Sequence, residues 1–115
     1  MSELSKIEII TGMSKLTSLI EELSKVGVRG VTVMQVLGCG VQMGTQEYEL
    51  EQNTSMELLP KQEISIVVET SKLDKILDII KKGLYTGHIG DGKIFVYSID
   101  KAIRVRTGEE GIDAI

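Results

Sequence analysis

Apolar residues follow two rhythms along this chain, a period of two and a period near 3.6. Residues 6–10, Lys-Ile-Glu-Ile-Ile, alternate and then run apolar, which predicts a largely buried strand. Thr11-Gly12 breaks that run. From Ser14 the period lengthens, with Met13, Leu16, Leu19, Ile20, Leu23 and Val26 on one helical face, and Gly27 is a natural stop. Gly30 to Leu37 is rich in Val and Thr and reads as a strand. Gln62 to Glu69, centred on Ile64-Ser65-Ile66-Val67-Val68, is another. A second helix follows from Ser71 to about Lys82, with Leu73, Ile76, Leu77 and Ile80 inward. Ser71 and Asp74 resemble a capping box at its start. Lys81 and Lys82 suit its C-terminal end, and Gly83 is expected to stop it. Lys93 to Tyr97 predicts a strand, Ala102 to Arg106 a short edge strand, and residues from Thr107 to the end a loose tail.

The two halves repeat. Ile7-Glu8-Ile9-Ile10 matches Ile64-Ser65-Ile66-Val67 at an offset of 57, and Ser14-Lys15-Leu16 matches Ser71-Lys72-Leu73 at the same offset. Each half reads strand, helix, glycine, strand. Two such units in tandem give an α+β fold of the ferredoxin-like βαββαβ type, a single domain over residues 1–115 with two helices on one face of an antiparallel sheet. Ile9, Val31, Val33, Ile66 and Val96 cannot all lie beneath two helices, so the other face is expected to be covered by self-association.

Two segments interrupt the pattern. Gly38 to Lys61 opens with three glycines in seven residues and continues with Glu47, Glu49, Glu51 and Glu57. A connection of that length inside a small domain is usually functional or disordered, although an idle protruding hairpin has the same composition. The second segment is Thr86-Gly87-His88-Ile89-Gly90-Asp91-Gly92-Lys93. Its glycines let backbone N–H groups approach a ligand, and those of Gly90, Asp91 and Gly92 are placed to cradle an anion. Lys93, with Arg104 and Arg106 further on, would neutralise it, the arginines by bidentate pairing with phosphate. Taken alone, the same residues also fit a plain turn and a solvated arginine pair. Gly92-Lys93 is followed by Ile94, which excludes a Walker sequence.

Composition narrows the classes. The net charge of -4 argues against a general affinity for nucleic acid, and 3% aromatic residues with no Trp leave no base-stacking platform. One cysteine, Cys39, cannot form an intrachain disulfide and suits the cytoplasm; with a single histidine, it makes a zinc site unexpected. No apolar run reaches the length of a membrane span.

The loops, set on that fold, are those of a family. Thr86-Gly-His-Ile-Gly-Asp-Gly-Lys-Ile-Phe-Val96 and Val105-Arg-Thr-Gly-Glu109, supported by Gly38-Cys-Gly-Val-Gln-Met-Gly44 and Leu59-Pro-Lys61, resemble the PII signal-transduction proteins over nearly the whole chain. The resemblance implies a homotrimer with ATP or ADP bound in clefts between subunits. It also implies a flexible loop between strands 2 and 3, about Gly40 to Leu58, that docks on a membrane transporter, its ATPase component or a metabolic enzyme. Lys93, Arg104, Arg106, Gly90, Asp91 and Gly92 match the family's nucleotide site. Gly30 and Thr32 match the adenine side, Val67 an apolar contact to the base, and Gly38, Gly40 and Gln42 the opposing subunit. Gln42 and Lys61 match residues that handle Mg²⁺ and 2-oxoglutarate, which leaves 2-oxoglutarate sensing open.

Departures from the pattern carry their own expectations. Val41 and Met43 stand where the family usually has Arg and Lys, and Ser65 replaces a usual glutamate of the site. A cation for the terminal phosphate is missing, so diphosphate is expected to bind at least as well as triphosphate. The tyrosine uridylylated in some members aligns with Thr54, and Tyr48 sits earlier in a different context, so that modification is not expected. The rival reading, a small nucleotide hydrolase using the same cleft, lacks paired carboxylates to hold metal and activate water: Asp91 and Glu63 form no constellation with a base.

Overall fold

The computed structural model describes residues 2–12, 16–39, 58–87 and 91–115. Strands β1 (Leu4–Thr11), β2 (Thr32–Gly38), β3 (Leu59–Glu69) and β4 (Lys93–Ile99) form one sheet in the order β2-β3-β1-β4, every pair antiparallel. Helices α1 (Leu16–Lys25) and α2 (Leu73–Leu84) connect them in βαββαβ order. The expected ferredoxin-like sheet and helices are therefore present.

Side-chain parity explains the core. Ile7 and Ile9 of β1 and Ile64, Ile66 and Val68 of β3 point to one face, where they meet Leu19 and Leu23 of α1 and Leu73, Ile76, Ile80 and Leu84 of α2. Truncating a fully buried residue such as Ile64 to alanine removes about 2–5 kcal/mol. The register also corrects the argument for an apolar second face. Ile9 and Val33 both pair with Ile64, while Ile66 and Val96 both pair with Ile7, so all four share the helix side. Val31 precedes β2 and packs against the core. The face without helices carries other residues: Met34, Ile10, Val67, Phe95 and Tyr97 among Lys6, Glu8, Lys61, Glu63 and Lys93. On it, partial burial of the ring, then the nearby Glu8 carboxylate, hold the Tyr97 hydroxyl above the usual phenol range.

Several boundaries differ from expectation. β3 begins at Leu59, so Leu59-Pro60-Lys61 is strand rather than loop. Pro60 pairs only with Leu37, because the β1 ladder ends at Gln62, and a residue flanked on one side spares the missing N–H. α2 runs through Gly83 to Leu84; a methyl group at Gly83 would meet Leu19 Cδ1 at 3.4 Å, so this glycine serves helix contact rather than termination. The capping box is absent: Ser71 donates to Glu69 instead (3.4 Å), and α2 starts through a 3-10 turn at Thr70–Lys72. Ala102 to Arg106 is not an edge strand, and the tail is not loose. Arg104 and Glu109 close a hairpin (Arg104 N to Glu109 O, 2.8 Å; Gly108 N to Arg104 O, 2.8 Å), and Gly111–Ala114 forms a 3-10 turn.

Two buried polar side chains on the helix side tie the end of β1 to its surroundings. Gln62 donates to the Gly12 carbonyl (2.8 Å), and Thr11, its cross-strand neighbour, donates to the Asp91 carbonyl (2.9 Å). Gly92, at φ +95°, seats directly on this point: a Cβ there would overlap the Ile10 carbonyl and lie 2.9 Å from Thr11 Cα. Gly108 has φ +75° with nothing within 4 Å. Gly92→Ala is therefore expected to cost roughly 2–5 kcal/mol, from strain plus a backbone collision. Gly108→Ala should cost only about 1 kcal/mol. Thermal or urea unfolding at one protein concentration separates the two, and equal small losses would contradict the seat of Gly92. Gln62→Leu leaves the Gly12 carbonyl without its donor and should cost about 1–3 kcal/mol in the same assay.

Candidate functional site

Strand lengths create the site. β3 has 11 residues and β2 has seven, and their pairing ends at Thr32 with Ser65. Beyond that point Ile66 to Glu69 pair with β1 alone, leaving an open edge of β3. The turn Val26–Gly30 after α1 forms one wall, the start of α2 with Lys72 and Ile76 another, and residues 112–115 a third. They enclose a cleft of about 720 Å³. The chain reaches it after β4 by turning back past Glu3, beside Gly111.

Four expected residues meet in this cleft: Gly30, Thr32, Val67 and Arg104. Thr32 and Ser65 are cross-strand partners on its floor. Arg104 is half-buried; its Nη2 donates to the Ile115 carbonyl at 3.4 Å and its Nη1 lies 3.6 Å from Glu109 Oε1. Arg106 sits in the turn of the same hairpin, faces solvent and does not line the cleft. The two arginines thus differ in setting, because residues 105–107 form a turn and not a strand in which alternate side chains would share a side. Arg29 and Lys72 also line the cleft, two cations not singled out from the sequence. Their signal was faint, a lone Arg before Gly30 and a Lys at a helix start.

The other expected residues stand at the opposite end of the sheet. A methyl group at Gly38 would lie 3.1 Å from Lys61 Cγ, so the Lys61 side chain covers that glycine. Gly92 adjoins Ile10 and Thr11, and Lys93 pairs with Ile10, in the row that holds Glu63. From Lys61 to Val67 is six strand residues, roughly 20 Å. The Asp91 side chain bonds within its own loop. Its Oδ2 accepts from the backbone N–H groups of Thr86 (2.8 Å) and Gly87 (2.9 Å), and its Oδ1 from the Thr86 hydroxyl. The carboxylate thus holds Thr86 and Gly87, while the Asp91 carbonyl accepts from Thr11. Gly40, Val41, Gln42, Met43, Thr54 and Gly90 lie outside the described residues.

Among the described residues, no group of three or more His, Cys, Asp or Glu side chains is placed to hold a metal ion, and no helix is long and apolar enough to cross a membrane.

Comparisons agree from sequence and structure. The family model for "Nitrogen regulatory protein P-II" matches residues 4–109. A nitrogen regulatory protein P-II from Rhodospirillum rubrum is 42% identical over 112 residues, 97% of this chain and 100% of that protein. The nitrogen regulatory protein GlnK of Escherichia coli is 42% identical over 103 residues, 90% of this chain and 92% of its own. The B. subtilis GlnK–ATP complex superposes with a TM-score of 0.83 at 38% identity, covering 97% of each chain. Arabidopsis thaliana PII bound to citrate gives 0.79 at 34% identity, covering 99% of this chain and 94% of its own. With the glycine loop, the long β2–β3 connection and the fold all in agreement, this chain belongs to the nitrogen regulatory protein P-II family, whose members are regulators rather than enzymes.

Proposed function

We propose that this chain is a cytoplasmic, homotrimeric sensor of adenine nucleotides that controls a partner protein through the segment between β2 and β3. The observation that carries the reading is the separation of its ligand groups. Gly30, Thr32, Val67 and Arg104 gather at one end of the sheet, and Gly38, Lys61, Gly92 and Lys93 at the other, roughly 20 Å away. One nucleotide can use both sets when the cleft of one copy faces the loop end of the next. The face without helices, with Phe95 and Tyr97 half-exposed, supplies the surface for that packing. The ATP complex of the B. subtilis relative supports the choice of ligand.

In this arrangement the open edge of β3 and Val67 receive the base, and Arg104 and Arg106 meet the phosphates. The backbone of Gly90, Asp91 and Gly92, with Lys93, comes from the neighbouring copy, as do Gly38, Gly40, Gln42 and Lys61. Gln42 and Lys61 would also serve bound Mg²⁺ and 2-oxoglutarate. The nucleotide acts by differential affinity for one conformation of the 38–61 segment, which a transporter, its ATPase component or a metabolic enzyme then reads.

Isothermal titration of the purified protein with ATP, ADP and AMP, each with and without Mg²⁺ and 2-oxoglutarate, tests this. Micromolar dissociation constants, about -8 kcal/mol, are expected for the di- and triphosphate. ADP should bind at least as tightly as ATP, because Val41 and Met43 supply no cation to the terminal phosphate. ATP binding far more tightly than ADP would refute that preference; no nucleotide binding would refute the sensor itself.

A further inference from the structure

The guanidinium of Arg104 is already engaged. The hairpin ladder sets Glu109 opposite Arg104 through the 2.8 Å bond between Arg104 N and Glu109 O. From there the Glu109 carboxylate reaches Nη1 (3.6 Å) while the Ile115 carbonyl takes Nη2 (3.4 Å). Nη1 and Nη2 are ends of the fork that would bind a phosphate bidentately. All three residues line the same cleft. An anion that reaches Arg104 there must therefore replace a carboxylate and a carbonyl, or share the guanidinium with them.

We propose that Glu109 is a specificity-determining residue of the cleft, competing with phosphoryl oxygens for Arg104 and so reducing the advantage of a polyphosphate over a less charged ligand. This rests on the reading of the cleft as a nucleotide site. The pair is half-exposed, with side chains 38% and 45% accessible. Such ion pairs are weak, so Glu109 sets a threshold and does not block the site. A ligand without charge gains nothing by displacing it. A diphosphate exchanges one carboxylate for several phosphoryl oxygens, and does so close to a carboxylate that repels it. Glu109 thereby narrows the difference between nucleotides that differ only in phosphate number.

Glu109→Gln keeps the backbone bonds of the hairpin and removes the competing charge. Glu110→Gln removes the same charge from a residue that pairs with Lys101 (3.0 Å) and does not line the cleft. Titration of both variants and the parent with adenosine, AMP, ADP and inorganic pyrophosphate reads the effect. Glu109→Gln is expected to tighten ADP and pyrophosphate about two- to fivefold. It should change AMP less and adenosine not at all, and Glu110→Gln should match the parent throughout. Unchanged or weaker ADP and pyrophosphate binding in Glu109→Gln would overturn the proposal, as would an equal gain in Glu110→Gln. If the parent bound no nucleotide, the reading of the cleft would fail, and pyrophosphate alone would then decide the competition at Arg104. Pyrophosphate binding to neither protein would overturn that too.

Discussion

The register of β3 is the constraint on which the rest depends. Within β3, only Gln62 to Ser65 have strand partners on both sides. At one end β3 outruns β1 and stays paired with β2 as far as Leu59, which carries the two strands out together to the long connection. At the other end β3 outruns β2 and stays paired with β1, which opens an edge that the α1–β2 turn and the last residues wall in. Both the open edge and the outgoing pair of strands are thus consequences of one offset. Because side chains alternate, a slip of one residue would send Ile64, Ile66 and Val68 away from the helices. The core therefore fixes the same offset that makes the cleft.

The end of β1 joins these regions to the glycine loop. Gln62 sits next to Lys61 on β3 and holds Gly12, while Thr11 holds the Asp91 backbone and Gly92 packs on Ile10. Each of these bonds is modest, about 1 kcal/mol net. The Thr11 and Gln62 side chains that make them are buried, however, and a polar group there that loses its partner has little water to replace it. The strand leaving the long connection and the strand leaving the glycine loop are consequently positioned against one short stretch of β1.

The core and the order of the elements were legible in the sequence because alternation and helical spacing record burial directly. Strand ends were less so, since an end is decided by where the partner strand stops. Pro60 looks like a breaker until β1 is known to end opposite Gln62. Gly83 and Ser71 misled for a related reason: each had a local reading, but Leu19 and Glu69 claimed them. Thr11 and Gln62 were readable in principle. They keep the parity of Ile7 and Ile9, and of Ile64 and Ile66, so polar atoms at those positions must be buried and need partners. The candidate site was legible as a set of residues but not as a place. Nothing in a one-dimensional pattern says that Lys61 and Val67, six residues apart, belong to opposite ends of the sheet. The hairpin that turns Arg104 into the cleft also leaves no periodic trace.

Charge placement gives the last step. The chain carries a net charge of -4, yet cations gather at both ends of the sheet, Lys61 and Lys93 at one and Arg29, Lys72 and Arg104 at the other. Acids are set among them: Glu63 in the row of Lys93, and Glu69, Glu109 and Asp113 around the cleft. The long-range field of such a molecule repels anions in general. Attraction must then come from short-range, directional contacts, from N–H groups and guanidinium forks at hydrogen-bond distance. Under the proposed function, such a surface would select a small phosphate ligand that fits between its donors. Overall acidity and local basic groups would then act together in that selection.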